Sequence, residues 1–486
     1  MEKFSKKKIA YSLIWKFLER IGVQGVQFVL QLLLARLLGP EPYGTLGMMV
    51  IFVNLANVFT QNGFNLALVQ NKDVTEEDYS SVLWVSMGIA GGIYGLLFAA
   101  APFIGTLYRM PDFAAPFRVL CLMLFPGALN SVQVARFRRN MDFKKVFFSN
   151  MIGVLISGVI GIALALLGWG LWALVCQSLL NTVISCIVMG FTAKLRLRLA
   201  CNLQRVRVLF SYGWKLLVSG LIATLYQDLR SLVIGLKYNA STLAYYNRGK
   251  QFPQFLINAV DNTVKTVMLP AMSAEQDNKE RVKTLMRHSI TLSAYLIFPM
   301  MAGLAAVAKP LITLLLTEEW LPAVPYLQIY CFTLAFYPVH SCNLQAINAM
   351  GRSDIHLKLE VIKKAYGLAA LVIATFCFDS PLAIAATGAI TALLSCFVNA
   401  TPNQKLVGYT YWEQTRDVLP SMVAALVMFG CVLLVGQLRL PVLGVLVVQV
   451  LAGVVIYIAL SALFGLKGFK TLWKVAKDFI TDRKKK

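Results

Sequence analysis

The chain has 486 residues, of which 58% are hydrophobic and only 14% are charged, and its mean hydropathy is +0.67. Soluble domains carry about 25% charged residues, so the composition excludes an ordinary soluble protein. The 46 Lys and Arg residues exceed the 23 Asp and Glu residues and give a net charge of +23. The apolar content leaves no polar surface for a basic groove, so we expect no nucleic-acid partner. The sequence therefore indicates an integral membrane protein.

Long apolar segments recur along the whole chain. A membrane-spanning helix needs about 20 mostly apolar residues, and the sequence predicts an all-α polytopic membrane protein with about fourteen such helices. The first apolar segment lacks the small-residue cleavage site of a secretory signal, so we interpret it as a retained spanning helix. The predicted spans are 12–38, 44–68, 81–107, 115–135, 146–167, 170–192, 210–236, 246–269, 288–308, 325–349, 356–378, 381–401, 417–436 and 441–464.

The basic residues are distributed unevenly among the segments that join these spans. They concentrate before the first span, in the segments that follow every second span, and after the last span. Because cytoplasmic segments of membrane proteins are enriched in Lys and Arg, we expect both termini in the cytoplasm. The basic segment 466–486 also places its apolar residues on one side of a helix, which predicts an amphipathic cytoplasmic tail on the membrane surface. The alternative is a solvated tail that serves only to fix orientation.

Polar side chains form stripes along several predicted spans. Polar residues are costly in a membrane and usually face a bundle interior or an aqueous cavity. At 100° per residue, the spacings i, i+4, i+7, i+11 and i, i+3, i+7, i+11 keep every residue of a stripe within about 40° of the mean direction of that stripe. The alternative is that these amides only form hydrogen bonds between helices. We predict a water-filled lumen whose substrate-binding residues are Arg20, Gln24, Gln27, Gln31, Asn54, Asn57, Gln61, Arg230, Arg248, Gln251, Asn258, Asn262 and Lys265.

The charges in these spans give the predicted lumen a sign. Basic residues outnumber carboxylates, so we expect a net cationic lumen, which suits phosphate-bearing or acidic-sugar substrates. Asp228 and Asp261 are the candidate carboxylates for coupling transport to H⁺ or Na⁺. We expect no catalytic residue, no metal site and no cofactor beyond such an ion, because the sequence has no nucleotide loop, CxxC pair or nucleophile arrangement. The sequence thus predicts a transporter and not an enzyme.

A short motif indicates internal duplication. The pattern Ser-x-x-Trp-Lys occurs at 12–16 and again at 211–215, at the start of the first and seventh predicted spans. Two parallel six-helix halves with a polar cleft between them form a plan for alternating access. We therefore predict an N-lobe at 1–208, a C-lobe at 209–403, two additional helices at 404–465 and the basic tail at 466–486.

Five short segments, in order over about residues 1–360, carry a family resemblance. They are Leu-Ala-Arg-Leu-Leu-Gly-Pro-Glu-Pro-Tyr-Gly at 34–44, Arg-Phe-Arg-Arg-Asn-Met-Asp-Phe at 136–143, Tyr-Tyr-Asn-Arg-Gly-Lys-Gln-Phe-Pro at 245–253, Leu-Pro-Ala-Met-Ser at 269–273 and Met-Gly-Arg-Ser-Asp at 350–354. As a set they resemble bacterial polysaccharide exporters, the O-antigen, colanic-acid and teichuronic-acid flippases of the multidrug/oligosaccharidyl-lipid/polysaccharide superfamily. The chain departs from that family at Asn62-Gly63, where an Asp commonly precedes the Gly.

The resemblance implies a function as well as a fold. It implies two six-helix lobes like those of multidrug and toxic-compound extrusion (MATE) transporters, and transport of an undecaprenyl-pyrophosphate-linked oligosaccharide across the bacterial inner membrane. Such a flippase would serve capsule, exopolysaccharide or O-antigen (lipopolysaccharide) synthesis, with membrane lipids and polymerase or export machinery as partners. Arg20, Arg230, Arg248 and Lys265 would then bind pyrophosphate or acidic sugars. The alternative is a MATE-type antiporter for drugs or other small cations, which the cationic lumen disfavours.

Overall fold

The computed structural model describes residues 11, 15–70, 74–193 and 202–483. Within these residues the regular structure is helical throughout, and the strand content is zero. After a π-helical turn at Glu19–Val23, the helices are α1 (Gln24–Leu38), α2 (Pro40–Gln70), α3 (Glu76–Leu107), α4 (Ala114–Cys121), α5 (Leu124–Asn140), α6 (Phe143–Leu166), α7 (Leu171–Ala193), α8 (Leu203–Lys237), α9 (Ala240–Ala274), α10 (Lys279–Ala306), α11 (Ala308–Leu315), α12 (Val324–Ala335), α13 (Tyr337–Ala349), α14 (Ser353–Cys377), α15 (Pro381–Leu406), α16 (Tyr411–Val435), α17 (Val442–Leu463) and α18 (Lys467–Arg483).

The all-α membrane architecture that the sequence predicts is confirmed. Ten helices in the described ranges are long and apolar enough to cross a membrane. The other four predicted spans are also helical, but α1 is short, α9 and α14 carry many polar residues, and the span at 325–349 is divided between α12 and α13. The exact count of fourteen membrane crossings therefore stays a prediction.

The chain divides into two compact units, Met1–Ala244 and Tyr245–Lys486. The division falls inside α9, whereas the predicted boundary between lobes is at 208. Helix α8 belongs to the first unit because it packs along α2. At one contact, Gly235 on α8 lies against Met48 on α2 and Tyr108, so that a Cβ at position 235 would approach the Tyr108 ring to 3.2 Å. The functional division into lobes at 208 and 403 stays a prediction.

Glycines allow the closest helix contacts of the first unit. A Cβ at Gly44 on α2 would lie 1.7 Å from the backbone oxygen of Ala240, so only glycine fits at this contact. On α6, a Cβ at Gly153 would lie 2.0 Å from the Ser185 hydroxyl of α7. Small residues at such positions let membrane helices approach until their backbones are nearly in contact. These contacts fix α2 beside the start of α9, and α6 beside α7.

The same irregular motif occurs once in each unit, and this repetition supports the predicted duplication. In the first unit, a 3₁₀ turn at Pro111–Phe113 leads into α4, a break and then α5, which is followed by Met141 with a φ of 56°. In the second unit, a 3₁₀ turn at Glu318–Ala323 leads into α12, a break and then α13, which is followed by Gly351 with a φ of 71°. Two of the five resemblance segments, 136–143 and 350–354, form these two left-handed corners.

The second unit is held together at one end by a buried carboxylate. Asp417 on α16 has a side chain that is 1% exposed, and it accepts a hydrogen bond from the Tyr409 hydroxyl at 3.0 Å. Arg287 on α10 places its Nη2 3.0 Å from Asp417 Oδ1, and Lys467 at the start of α18 places its Nζ 3.3 Å from the same oxygen. Burial and the nearby Asp417 carboxylate raise the pKa of Tyr409, which keeps its hydroxyl protonated as a donor. We call Arg287, Tyr409, Asp417 and Lys467 the Asp417 cluster.

Candidate functional site

A polar pocket of about 460 Å³ lies within the first unit, between α1, α6 and α7. It contains two of the predicted site residues, Gln24 and Gln27, and the other lining residues are Lys16, Glu19, Val23, Asn150, Val154, Asn181 and Ser185. We call this the amide pocket, because four of its nine lining residues are Asn or Gln. The amide side chains offer both donors and acceptors of hydrogen bonds to a polar ligand.

The close contact of α6 with α7 forms one wall of the amide pocket. Gly153 lies beside Ser185 and Asn181, and a Cβ there would be 3.2 Å from Asn181 Oδ1. That Asn181 oxygen is buried and has no hydrogen-bond partner within the part of the chain that the structure describes. A buried amide oxygen without a partner costs about 1–3 kcal/mol. A ligand that donates a hydrogen bond would remove this cost.

The charges of the amide pocket largely compensate one another. Lys16 Nζ lies 2.5 Å from Glu19 Oε2, and the ammonium also lies 5.3 Å from the centre of the Phe143 ring. A lysine and a glutamate in contact contribute little net charge. Arg20 lies in the adjacent π-helical turn, but its side chain is outside the described part of the structure. The lining that is described is therefore polar and almost neutral.

The other described residues of the first and second predicted stripes do not line the amide pocket and make contacts elsewhere in the first unit. The backbone oxygen of Gln31 accepts a hydrogen bond from the Tyr43 hydroxyl at 2.9 Å. On α2, Gln61 Nε2 donates to Asn57 Oδ1 at 2.9 Å, beside Gly127 of α5. This amide pair matches the alternative in which such residues bond one another. Asn54 is exposed, and its Nδ2 donates to Asp228 Oδ2 on α8 at 3.2 Å.

Asp228 and Arg230 lie within one turn of α8, and both side chains are half-buried. The contact with Asn54 places Asp228 at the face of α8 that packs on α2. A carboxylate in a spanning helix is rare and usually marks an ion or substrate pathway. The geometry therefore keeps Asp228 as a candidate for ion coupling.

The third predicted stripe, on α9, lies in the second unit. Arg248 is only 4% exposed; its Nη1 donates to Gln251 Oε1, and its guanidinium lies over the Trp320 ring at 5.8 Å. Farther along the helix, Gln254 Nε2 donates to Asn258 Oδ1 at 2.9 Å. The bonds within the stripe thus join residues three and four positions apart on one helix face. The indole ring and the amide hold the Arg248 cation in a fixed position.

Asp261 follows on the same helix and is 8% exposed. The side chains of Asn262 and Lys265 lie outside the described part of the structure, so their predicted roles stay predictions. The predicted lumen residues are consequently divided between the two units. Gln24 and Gln27 share the amide pocket, Asn54 contacts Asp228 within the same unit, and Arg248 contacts Gln251 in the second unit.

Sequence reasoning did not select Lys16, Asn150, Asn181 or Ser185 as binding residues. Asn150 and Asn181 lie in strongly apolar spans and were not part of the stripes that selected Gln24 and Gln27. Ser185 follows Asn181 by four positions, so the two share one face of α7. The spacing of Asn181 and Ser185 was the sequence signal that could have identified both residues. Among the described residues, no group of three His, Cys, Asp or Glu side chains could hold a metal ion.

The fold defines the class of protein. The chain superposes on the solved structure of the lipid II flippase MurJ in an inward closed conformation with a TM-score of 0.76, covering 94% of this chain and 98% of that one at 16% identity. It also superposes on an inward-facing MATE multidrug resistance transporter of the MOP superfamily, with a TM-score of 0.61, covering 81% and 98% of the two chains at 14% identity. The chain thus has the fold of multi-pass membrane transporters.

The family follows from the sequence match. The model of the family described as polysaccharide biosynthesis protein matches residues 33–325, more than half of the chain, and the chain belongs to that family. The chain is 25% identical over 414 residues to the succinoglycan biosynthesis transport protein ExoT of Rhizobium meliloti (strain 1021), covering 85% of this chain and 82% of that protein. It is 22% identical over 368 residues to the lipopolysaccharide biosynthesis protein WzxC of Escherichia coli (strain K12), covering 74% and 73%. The resemblance noted from the five segments is confirmed.

Proposed function

We propose that this protein moves a lipid-linked oligosaccharide across the membrane by alternating access, as a step in polysaccharide biosynthesis. The observation that carries the proposal is the amide pocket in a chain that belongs to a polysaccharide biosynthesis family. Asn and Gln each offer donors and acceptors, which match sugar hydroxyls. Relatives named for succinoglycan transport and lipopolysaccharide biosynthesis support the same class of cargo.

The chemistry of the proposed cargo explains why its movement across the membrane requires a protein. Moving an unpaired phosphate charge through hydrocarbon costs far more than thermal energy, and sugar hydroxyls without partners add to that cost. Amides replace water around the sugars, while basic side chains such as Arg248 balance phosphate charge. The lipid tail stays in the bilayer. We infer that the carrier lipid is undecaprenyl pyrophosphate and that the protein lies in the bacterial inner membrane with both termini in the cytoplasm, as the basic residues between the spans favour.

The test combines gene deletion with variants of the amide pocket. The deletion strain should accumulate one lipid-linked oligosaccharide on the cytoplasmic side, which mass spectrometry identifies. Gln27→Leu with Asn181→Leu removes two hydrogen-bonding side chains from the pocket, so export should fall by about 10-fold at an unchanged protein level in the membrane. Thr182→Val is the matched control, because Thr182 lies next to Asn181 but is not among the pocket-lining residues, and its hydroxyl donates to the Ser178 oxygen of its own helix at 3.2 Å. Absence of any lipid-linked oligosaccharide in the deletion strain would refute the proposed function.

A second candidate function is the export of small organic cations. The superposition on the multidrug transporter and the Asn54–Asp228 contact favour it, because a half-buried carboxylate is the group that binds cations in such a site. Uptake of a fluorescent organic cation into vesicles, lost in Asp228→Asn, would support this candidate. Transport of lipid-linked oligosaccharide without any cation uptake would exclude it.

A further inference from the structure

The C-terminal helix α18 is fixed to the second unit at its first turn. Lys467 contacts the buried Asp417, and Leu466 just before the helix is itself buried. Gly468 lies so close to Tyr295 of α10 that a Cβ there would be 2.5 Å from the Tyr295 side chain. These contacts come from α10 and α16, so the start of α18 is positioned by two spanning helices.

Beyond this first turn, α18 presents aromatic side chains outward. Trp473 is 65% exposed, and its ring stacks on Phe469 at 5.9 Å between centroids and 24° between planes. Tryptophan is enriched at membrane interfaces, where its apolar ring and its N–H group meet both environments. An exposed tryptophan stacked on the half-buried Phe469, on a helix that follows a spanning helix, therefore has the composition of an interfacial element.

Lysines follow one flank of this aromatic stripe. Lys470, Lys474 and Lys477 are exposed, and at 100° per residue they share a sector of about 60° next to the stripe of Phe469 and Trp473. Lysine side chains beside an apolar stripe extend along it and place their ammonium groups at the level of lipid headgroups. The partner that matches this pattern offers an apolar layer with negative charge at its surface.

We propose that α18 binds the surface of an anionic phospholipid leaflet, with Phe469 and Trp473 in the acyl boundary and Lys470, Lys474 and Lys477 at the headgroups. The Asp417 cluster holds the start of the helix at the end of the bundle, which sets the depth at which α18 meets the leaflet. Each basic residue near an anionic surface strengthens membrane binding by about 5-fold. This proposal is independent of the transported cargo.

The test uses the full-length protein reconstituted in vesicles of phosphatidylcholine alone or with 30% phosphatidylglycerol. Brominated lipid quenches tryptophan fluorescence by contact, and the difference between the wild-type protein and Trp473→Phe isolates the signal of Trp473. We expect this signal to be quenched in the anionic vesicles and much less in the neutral vesicles. High salt should weaken the quenching, because it screens the lysine charges.

Charge variants separate lipid binding from a purely structural effect. Lys470→Gln with Lys474→Gln and Lys477→Gln should reduce the partition of Trp473 into the anionic leaflet by about 100-fold. The matched control removes three exposed lysines elsewhere in the chain, through Lys279→Gln, Lys358→Gln and Lys405→Gln, and should leave the Trp473 signal unchanged. Equal quenching in neutral and anionic vesicles would overturn the proposal. A Trp473 signal that changes neither with salt nor with substitution of the tail lysines would also overturn the proposal. It would indicate a protein partner or a solvated tail.

Discussion

The Asp417 cluster leads to a prediction about the stability of the second unit. Asp417→Asn keeps the volume of the side chain but removes the negative charge that Arg287 and Lys467 approach. Breaking a fully buried ion pair by removing one partner costs about 3–5 kcal/mol. The cost here is lower, because the Arg287 side chain is 39% exposed and that of Lys467 is 70% exposed, so both cations can be rehydrated.

The expected magnitude follows from the individual contacts. The hydrogen bond from Arg287 Nη2 to Oδ1, at 3.0 Å, is charge-assisted and, together with the ion contact of Nε to Oδ2 at 2.5 Å, contributes about 1.5–3 kcal/mol. The mostly exposed Lys467 contributes at most about 1 kcal/mol. The Tyr409 hydroxyl can still donate to the asparagine oxygen. Asp417→Asn should therefore destabilise the unit by about 2–4 kcal/mol, or about 4–16 °C in melting temperature for a unit of this size.

The assay is thermal unfolding of the purified protein in detergent at one fixed heating rate. Asp354→Asn is the matched control: Asp354 also pairs with an arginine, Arg352, at 2.9 Å, but both side chains are about half exposed. That variant should leave the melting temperature unchanged. In the double variant that combines Asp417→Asn with Arg287→Gln, the loss in melting temperature should differ strongly from the sum of the losses in the two single variants. Equal melting temperatures for Asp417→Asn and Asp354→Asn, or additive losses, would refute the reasoning.

Three further predictions concern packing, substrate charge and ion coupling. Gly44→Ala places a Cβ 1.7 Å from the Ala240 oxygen and should lower stability by at least about 3 kcal/mol, whereas Gly88→Ala, with open space around it, should be neutral or stabilising in the same melting assay. Arg20→Ala with Lys265→Ala should reduce export of lipid-linked oligosaccharide while the protein still accumulates in the membrane; normal export would exclude both residues as anion ligands. Asp228→Asn with Asp261→Asn should abolish any dependence of transport on a H⁺ or Na⁺ gradient in vesicles, and an unchanged dependence would exclude both carboxylates as coupling groups.

Local pattern determined much of the architecture. Runs of about 20 apolar residues predict spanning helices because the bilayer leaves the backbone no other way to satisfy its hydrogen bonds. The predicted spans accordingly coincide with helices, and the five short segments identified the family. The polar stripe also selected Gln24 and Gln27, which line the amide pocket, while their role as substrate-binding residues stays a prediction. All of these signals lie within a single helix or a single turn.

Contacts between helices decided the rest of the site. Gly153 lets α6 and α7 approach closely beside Asn181 and Ser185, and these two residues join Gln24 of α1, which is more than 150 positions away in the sequence, in one pocket. The same stripe pattern also selects Asn57 and Gln61 as binding residues. In the structure, however, these two side chains bond one another on α2. Periodicity shows which face of a helix is polar, but it does not show which neighbour that face meets.

The sequence by itself determined that this chain is a helical membrane protein of a polysaccharide biosynthesis family, because composition, periodicity and short motifs are local properties. Only the tertiary structure decided that Arg287, Tyr409 and Lys467 meet at Asp417, and that the amide pocket lies within one unit. Arg287 and Lys467 come from helices 130 and 50 positions away from Asp417, and their meeting depends on how closely the helix backbones pack. A single sequence contains the residues for such a contact but not the pairing of the helices that brings them together.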